Sequence, residues 1–216
     1  MKLYDCFIYN NEDLILDIRF NTLNKYVEKF ILVESKFDHQ GNKKKLNFNI
    51  NKFPNFKDKI IYIVSDDEPE GLIFDTNLKD KKELPEHYRH NAIKRISHQR
   101  NKLIKGLDLA DEEDFILYSD NDEFPNLDNF NFKAFNKKYV IFEQKLFYYK
   151  LNLYMDRINW YGTKGCKKKY LESFEKLRQI KPKKYPFYRL DTLLRNDRYM
   201  NVNIIKNGAN CRTAVL

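Results

Sequence analysis

Three carboxylates crowd into the stretch Phe115-Ile-Leu-Tyr-Ser-Asp120-Asn-Asp122-Glu123-Phe-Pro125: Asp120, Asp122 and Glu123. Negative charges this close repel one another, and the arrangement is costly unless a cation or water offsets it. A hard divalent ion such as Mg2+ or Mn2+ takes oxygen ligands and usually completes its shell with substrate phosphates. Asp-x-Asp is thus a candidate seat for a metal and a diphosphate, with an acidic turn as the plain alternative. The four largely apolar residues before it, Phe115 to Tyr118, read as a buried strand. Pro125 closes the run, because proline lacks the N–H that a continuing ladder needs.

The elements that must position these groups are legible upstream. Leu3 to Tyr9 is β-prone, and Asp13 is placed to cap a helix with apolar residues at Leu14, Ile15, Ile18 and Leu23. Phe30 to Val33 and Lys59 to Val64 read as strands, with the polar, Gly41-containing segment Lys36 to Lys45 between them as a loop. Gly71 to Glu86 has no clear period and reads as loop. His87 to Leu107 is the best helix, with Tyr88, Ala92, Ile96, Leu103 and Leu107 on one stripe and Arg89, Lys94, Arg95, Arg100 and Lys105 mostly elsewhere. Strand and helix alternate up to Asp120, which predicts an α/β fold with a mostly parallel central sheet flanked by helices. In such sheets ligands bind beyond the carboxyl ends of the strands. Three strand ends carry acids there: Glu34, the cluster Asp66 to Glu68, and Asp120 to Glu123.

After Pro125 the pattern changes. Tyr139 to Tyr154 is a β-prone run too long for one strand, so it bends or folds as a hairpin. Its aromatics are read as core, with sugar stacking as the alternative. Trp160-Tyr-Gly-Thr163 forms a turn, and Leu171 to Ile180 a short helix. Lysine plus arginine outnumber aspartate plus glutamate by 40 to 31, a net charge of +9 that suits a phosphate-bearing partner. The basic residues are dispersed and no nucleic-acid module signature is present, so nucleic acid is not expected as a partner. Cys6, Cys166 and Cys211 form no Cys-x-x-Cys pair, and Cys6 reads as a small buried hydrophobe. His87, His90 and His98 lack the i, i+4 spacing of a zinc pair, and His39 is assigned no role. With no signal peptide and no apolar stretch long enough to cross a bilayer, a cytoplasmic location is expected, with peripheral membrane contact left open.

Together these segments resemble glycosyltransferase family 17. The pieces that carry the resemblance are Tyr4-Asp5-Cys6-Phe7 with Asn11-Glu12, Ile31-Leu-Val-Glu34-Ser35, Arg95 with Gln99-Arg100, and Ser119-Asp120-Asn-Asp122-Glu123-Phe-Pro125. It continues more weakly through Trp160-Tyr-Gly-Thr163 and Tyr185-Pro-Phe-Tyr-Arg189-Leu-Asp191-Thr192. The resemblance implies a GT-A-like single domain, expected over residues 1–207, and a UDP-sugar donor, UDP-N-acetylglucosamine in known members. It also implies a glycan acceptor and inversion at the anomeric carbon. Asn207-Gly208 is followed by Ala-Asn-Cys-Arg-Thr-Ala-Val-Leu216 where family members continue differently, so 208–216 is expected to be an atypical tail on a truncated or altered end.

Under that resemblance Asp122 binds Mn2+ or Mg2+ directly, and Asp120 binds the metal through water or contacts the ribose. Glu123 orients them. Inversion needs one general base on the acceptor hydroxyl, for which Asp191 and Glu123 are the candidates. Arg100 is placed to donate to the diphosphate; Arg95, five residues away on the helix, turns to another side. Asp5 and Glu34 are candidates for uracil or ribose contacts. Two other readings stay open: a metal-dependent nucleotidyltransferase or phosphohydrolase, and a catalytically impaired sugar-nucleotide or glycan-binding protein.

Overall fold

The computed structural model describes residues 1–74, 84–128, 130–148, 153–182, 202–206 and 209–213. Strands β1 (Leu3–Ile8), β2 (Lys29–Ser35), β3 (Ile60–Ser65) and β4 (Phe115–Tyr118) pair in parallel in the order β3-β2-β1-β4. Beyond β4 the sheet continues through β9 (Lys164–Lys167), which runs antiparallel, then β6 (Tyr139–Phe142) and β10 (Val202–Ile205). A second, four-stranded sheet has the order β5-β11-β7-β8, from Glu123–Pro125, Ala209–Thr213, Gln144–Tyr148 and Tyr154–Trp160. The fold is a mixed α/β single domain with a mostly parallel seven-stranded sheet, compatible with the GT-A type.

Parallel neighbours need crossovers, and helices supply them. Helix α1 (Asp13–Leu23) joins β1 to β2, and α2 (Leu84–Asn101), continued by a 3-10 turn at Lys102–Gly106, lies between β3 and β4. Strand β1 alternates faces. Leu3, Phe7 and Tyr9 join the α1-side core with Phe20, Phe30, Phe53 and Phe115. Tyr4 and Cys6 join the opposite core with Ile31, Leu103, Leu107, Tyr118 and, from α3 (Phe174–Gln179), Phe174 and Leu177. Phe20 packs on Phe30, Phe53 and Phe56 with ring centroids 4.7, 5.2 and 5.3 Å apart, tilted or edge-on as aromatic pairs prefer. Cys6 and Cys166 are buried free thiols.

Several expectations are corrected. Glu12 rather than Asp13 occupies the N-cap of α1, and Asp13 instead accepts from the Tyr9 hydroxyl and Lys52. The buried face of α1 is Leu16, Arg19, Phe20 and Leu23, whereas Leu14 and Ile18 are exposed. Helix α2 differs more: its buried residues are Asn91, Arg95, Gln99 and Arg100, while Tyr88 is 62% exposed. Asn91, Arg95 and Gln99 turn inward to bond the Ile73 backbone, Glu68 with the His39 carbonyl, and the Val33 carbonyl, whereas of the expected stripe Leu103 and Leu107 are buried. The run from Tyr139 divides at Glu143, with β6 in the large sheet and β7 in the small one. Outside these corrections, Ala209–Thr213, within the segment expected to be an atypical tail, pairs between β5 and β7.

Candidate functional site

The connections β1-β2-β3 proceed to one side of β1, and the chain then returns to place β4 on the other. That reversal leaves a crevice beyond the carboxyl ends of β1 and β4, where open α/β sheets bind ligands. A cleft of about 620 Å³ lies there, bordered by Glu12, His39, Lys44, Gln99, Arg100 and the loop Asp120–Asp122.

The loop after β4 is set from its inner side by Arg19. This residue is wholly buried, and its Nε and Nη2 each donate to one oxygen of Asp5 at 2.7 Å. Its Nη1 donates to the carbonyls of Asp120, Asn121 and Glu123 at 3.2, 3.1 and 3.1 Å, and Nη2 also reaches the Ser119 hydroxyl. All five guanidinium N–H donors are thus directed at acceptors. The turn closes on itself: the Glu123 N–H donates to the Asp120 carbonyl at 3.0 Å, and the Asp120 N–H to Glu123 Oε2 at 2.9 Å.

Glu123 lies behind the loop, 1% exposed, with Oε1 accepting from Trp160 Nε1 at 2.7 Å and from Arg178 at 3.5 Å. Burial, then the charge of Asp120, pushes its carboxyl well above the usual range. Gly162 makes room for it, since a Cβ there would stand 2.4 Å from Glu123 Cδ and from Gln144 Oε1. Enclosed in this way, Glu123 orients the loop and does not border the cleft. Glu123, expected with Asp191 as a candidate general base, thus sits behind the loop.

The cleft side of the loop is different. Asp120 accepts from Tyr118 at 3.2 Å and from Arg178 Nη2 at 2.8 Å, with its side chain 41% exposed. Asp122 has no basic or N–H partner among the described residues beyond its own backbone, and burial followed by the nearby Asp120 charge pushes its carboxyl up to about 6. Glu12 is raised as well, chiefly by burial and against the bonds from Asn10 N and Asn121 Nδ2 at 3.1 and 3.3 Å. The Asn121 amide oxygen is buried without a donor among the described residues.

Asp120, Asp122 and Arg100 are therefore brought to one cleft. Arg100 donates to the Tyr118 hydroxyl at 2.7 Å and pairs with Glu175, and no described residue accepts from its Nη2. Asp5 and Glu34, expected as nucleotide contacts, do not line this cleft. Asp5 is consumed by Arg19. Glu34 is wholly buried and accepts from Lys44, the N–H groups of Asn47 and Phe48, and Tyr62 at 3.2, 2.8, 3.1 and 2.9 Å, so it anchors the loop after β2. Arg95 holds the same loop through the His39 carbonyl at 3.3 Å and ties it to the segment after β3 through Glu68 at 2.6 Å. Gly41, at φ +95°, is needed beside it, because a Cβ would stand 2.4 Å from Arg95 Nη2. Asp191 lies outside the described residues.

Sequence reasoning passed over Arg19, Glu12, His39 and Arg178. Arg19 had a signal: it shares a helical face with Leu16, Phe20 and Leu23, and Asp5 interrupts the inward set Leu3, Phe7 and Tyr9 of β1. A charge on each of two facing apolar stripes marks a buried pair. Nothing in the local sequence marks Arg178.

The donor set suits a hard cation. Asp120 and Asp122 offer oxygen only, and one of them lacks a countercharge. Among the described residues no group of three or more His, Cys, Asp or Glu forms a metal cage. Ions of the Mg2+ type are commonly held by one or two carboxylates, with water and substrate phosphate completing the shell. Among the described residues no helix is long and apolar enough to cross a membrane. Residues 1–181 match the family model for Glycosyltransferase family 17. No curated protein gives a significant match.

Proposed function

The chain belongs to glycosyltransferase family 17, and from that premise we propose that it is a metal-dependent inverting transferase moving N-acetylglucosamine from UDP-N-acetylglucosamine to a glycan acceptor. The observation that carries the metal and nucleotide part is Asp122, a carboxylate facing the switch-point cleft beside Asp120 without a countercharge among the described residues.

In this reading Asp122 and Asp120 hold Mn2+ or Mg2+. The ion would supply Lewis-acid neutralisation of the charge on the departing nucleoside diphosphate. Arg100 adds N–H donors from the opposite wall, as guanidinium does for phosphate oxygens. Tyr118 ties the two together by donating to Asp120 while accepting from Arg100. Arg19 and Glu123 keep the loop from relaxing away, so little reorganisation is left for the reaction itself. The acceptor hydroxyl oxygen attacks the anomeric carbon from the face opposite the diphosphate. The carbon–oxygen bond to the diphosphate breaks with its electron pair, and the hydroxyl proton passes to a carboxylate. With Glu123 enclosed, that base is assigned to Asp191.

A transfer assay with labelled UDP-N-acetylglucosamine over a glycan array tests the reading. Transfer that needs Mn2+ or Mg2+, inverts the anomeric configuration and disappears in Asp122→Asn and Asp191→Asn is expected. Transfer that survives both chelation and Asp122→Asn contradicts the metal site. Loss with Asp122→Asn but not with Asp191→Asn removes only the assignment of the base.

A further inference from the structure

Arg178 is the basic residue that bridges the cleft-lining Asp120 and the enclosed Glu123. Its Nη2 lies 2.8 Å from Asp120 Oδ2 and 3.5 Å from Glu123 Oε1. Considerable structure is spent on placing it. Ser173 caps α3 by accepting from the Lys176 N–H at 3.0 Å. The helix is docked on the end of α2 through the Arg100–Glu175 ion pair and a 3.0 Å bond from the Glu175 N–H to Asn101 Oδ1. The Arg178 carbonyl accepts from Lys164 Nζ, so the backbone that carries the side chain is fixed. Lys164 is itself 5% exposed, and burial together with the Arg178 charge pulls its ammonium down to about 7.

A guanidinium thus sits on the carboxylate that the sugar-nucleotide reading gives to a divalent cation. A guanidinium and a divalent cation on one carboxylate repel each other, so they compete for it. A guanidinium released from Asp120 has a good alternative partner, since its planar fork matches phosphate oxygens. Arg100 already stands across the loop with an N–H group that meets no acceptor among the described residues, so a diphosphate held between the two arginines would find donors on both sides.

We propose that Arg178 is a movable countercharge of the donor site, pairing with Asp120 and Glu123 in the free protein and exchanging them for the diphosphate when a divalent cation takes Asp120. This rests on the sugar-nucleotide reading above. It assigns Arg178 to the donor's phosphates and makes metal and nucleotide binding mutually supporting, because each removes an obstacle to the other.

The test measures Mn2+ binding to the full chain by electron paramagnetic resonance, and UDP binding at saturating Mn2+ by calorimetry. Arg178→Gln is expected to bind Mn2+ alone about tenfold more tightly, and UDP with Mn2+ about tenfold more weakly, a pair of opposite shifts that lost packing does not produce. If Arg178→Gln fails to fold, Arg178→Lys keeps the charge but not the fork, and moves both constants the same ways by smaller factors. Either constant unchanged from wild type overturns the role of Arg178. Wild-type protein that binds neither Mn2+ nor UDP overturns the sugar-nucleotide reading itself, and this proposal with it.

Discussion

Arg19 and Asp122 stand on opposite sides of the same loop, and their surroundings could hardly differ more. Every N–H of Arg19 finds an acceptor, and both oxygens of its partner Asp5 are taken. Asp122 faces the cleft beside Asp120 and Glu12 with no described cation of its own. A buried charge is tolerated only when paired and hydrogen-bonded, so the inner face reads as support. The outer face keeps like charges together at a cost, the pattern on which the proposed cation site rests. In the proposed reading one segment does two jobs: its carbonyls are spent on rigidity and its side chains are kept for chemistry.

The contrast breaks most sharply at Arg19. Arg19→Met strands a buried carboxylate and three carbonyls, and is expected to cost about 3–5 kcal/mol in urea unfolding followed by circular dichroism. A loss below about 1 kcal/mol would mean that the inner face is not a support. Glu34→Gln probes the other anchored loop. Losing charge-assisted bonds from Lys44, Tyr62 and two backbone N–H groups is expected to cost about 2 kcal/mol, with nucleotide affinity falling only as the loop loosens. A sharp loss of UDP affinity with stability intact would instead restore Glu34 as a nucleotide contact.

On the outer face, protons and metal compete for Asp122. Its carboxyl titrates near 6, so Mn2+ affinity is full above that pH and falls as pH drops through it, by about tenfold from pH 7 to pH 5. A flat profile over that interval would place the metal elsewhere. The smallest effect is also the most diagnostic. A carboxyl raised by folding is destabilising once ionised, so Asp122→Asn should raise stability at pH 7 by up to about 1 kcal/mol and leave it unchanged below about pH 4. Destabilisation at pH 7 would show that Asp122 belongs with the supports.

The same contrast explains what could be read from the residues alone. Strands β1 to β4 are apolar runs ending in polar residues, and the sheet class follows from their alternation with helices. The placement of Asp120 and Asp122 at one cleft was legible because a pair at a strand end is local in sequence. Asp5 and Glu34 stand on early strands like ligand contacts, but their partners, Arg19 on α1 and Lys44 to Phe48, lie in other segments. Helix α2 was misread for the reverse reason: Asn91, Arg95 and Gln99 repeat at intervals of four, and a polar stripe with that spacing can face inward where a loop or cleft must be held. Arg178 depends on α3 docking against α2, a contact between distant segments that no local pattern announces.

The central claim is that the outer face of the loop holds a cation and through it a nucleotide. Calorimetric titration of UDP into wild type and Asp122→Asn, each with Mn2+ and with chelator, addresses it directly. The account predicts binding by wild type with Mn2+ and none in the other three combinations. Equal UDP affinity in wild type and Asp122→Asn, or binding indifferent to the metal, would contradict it.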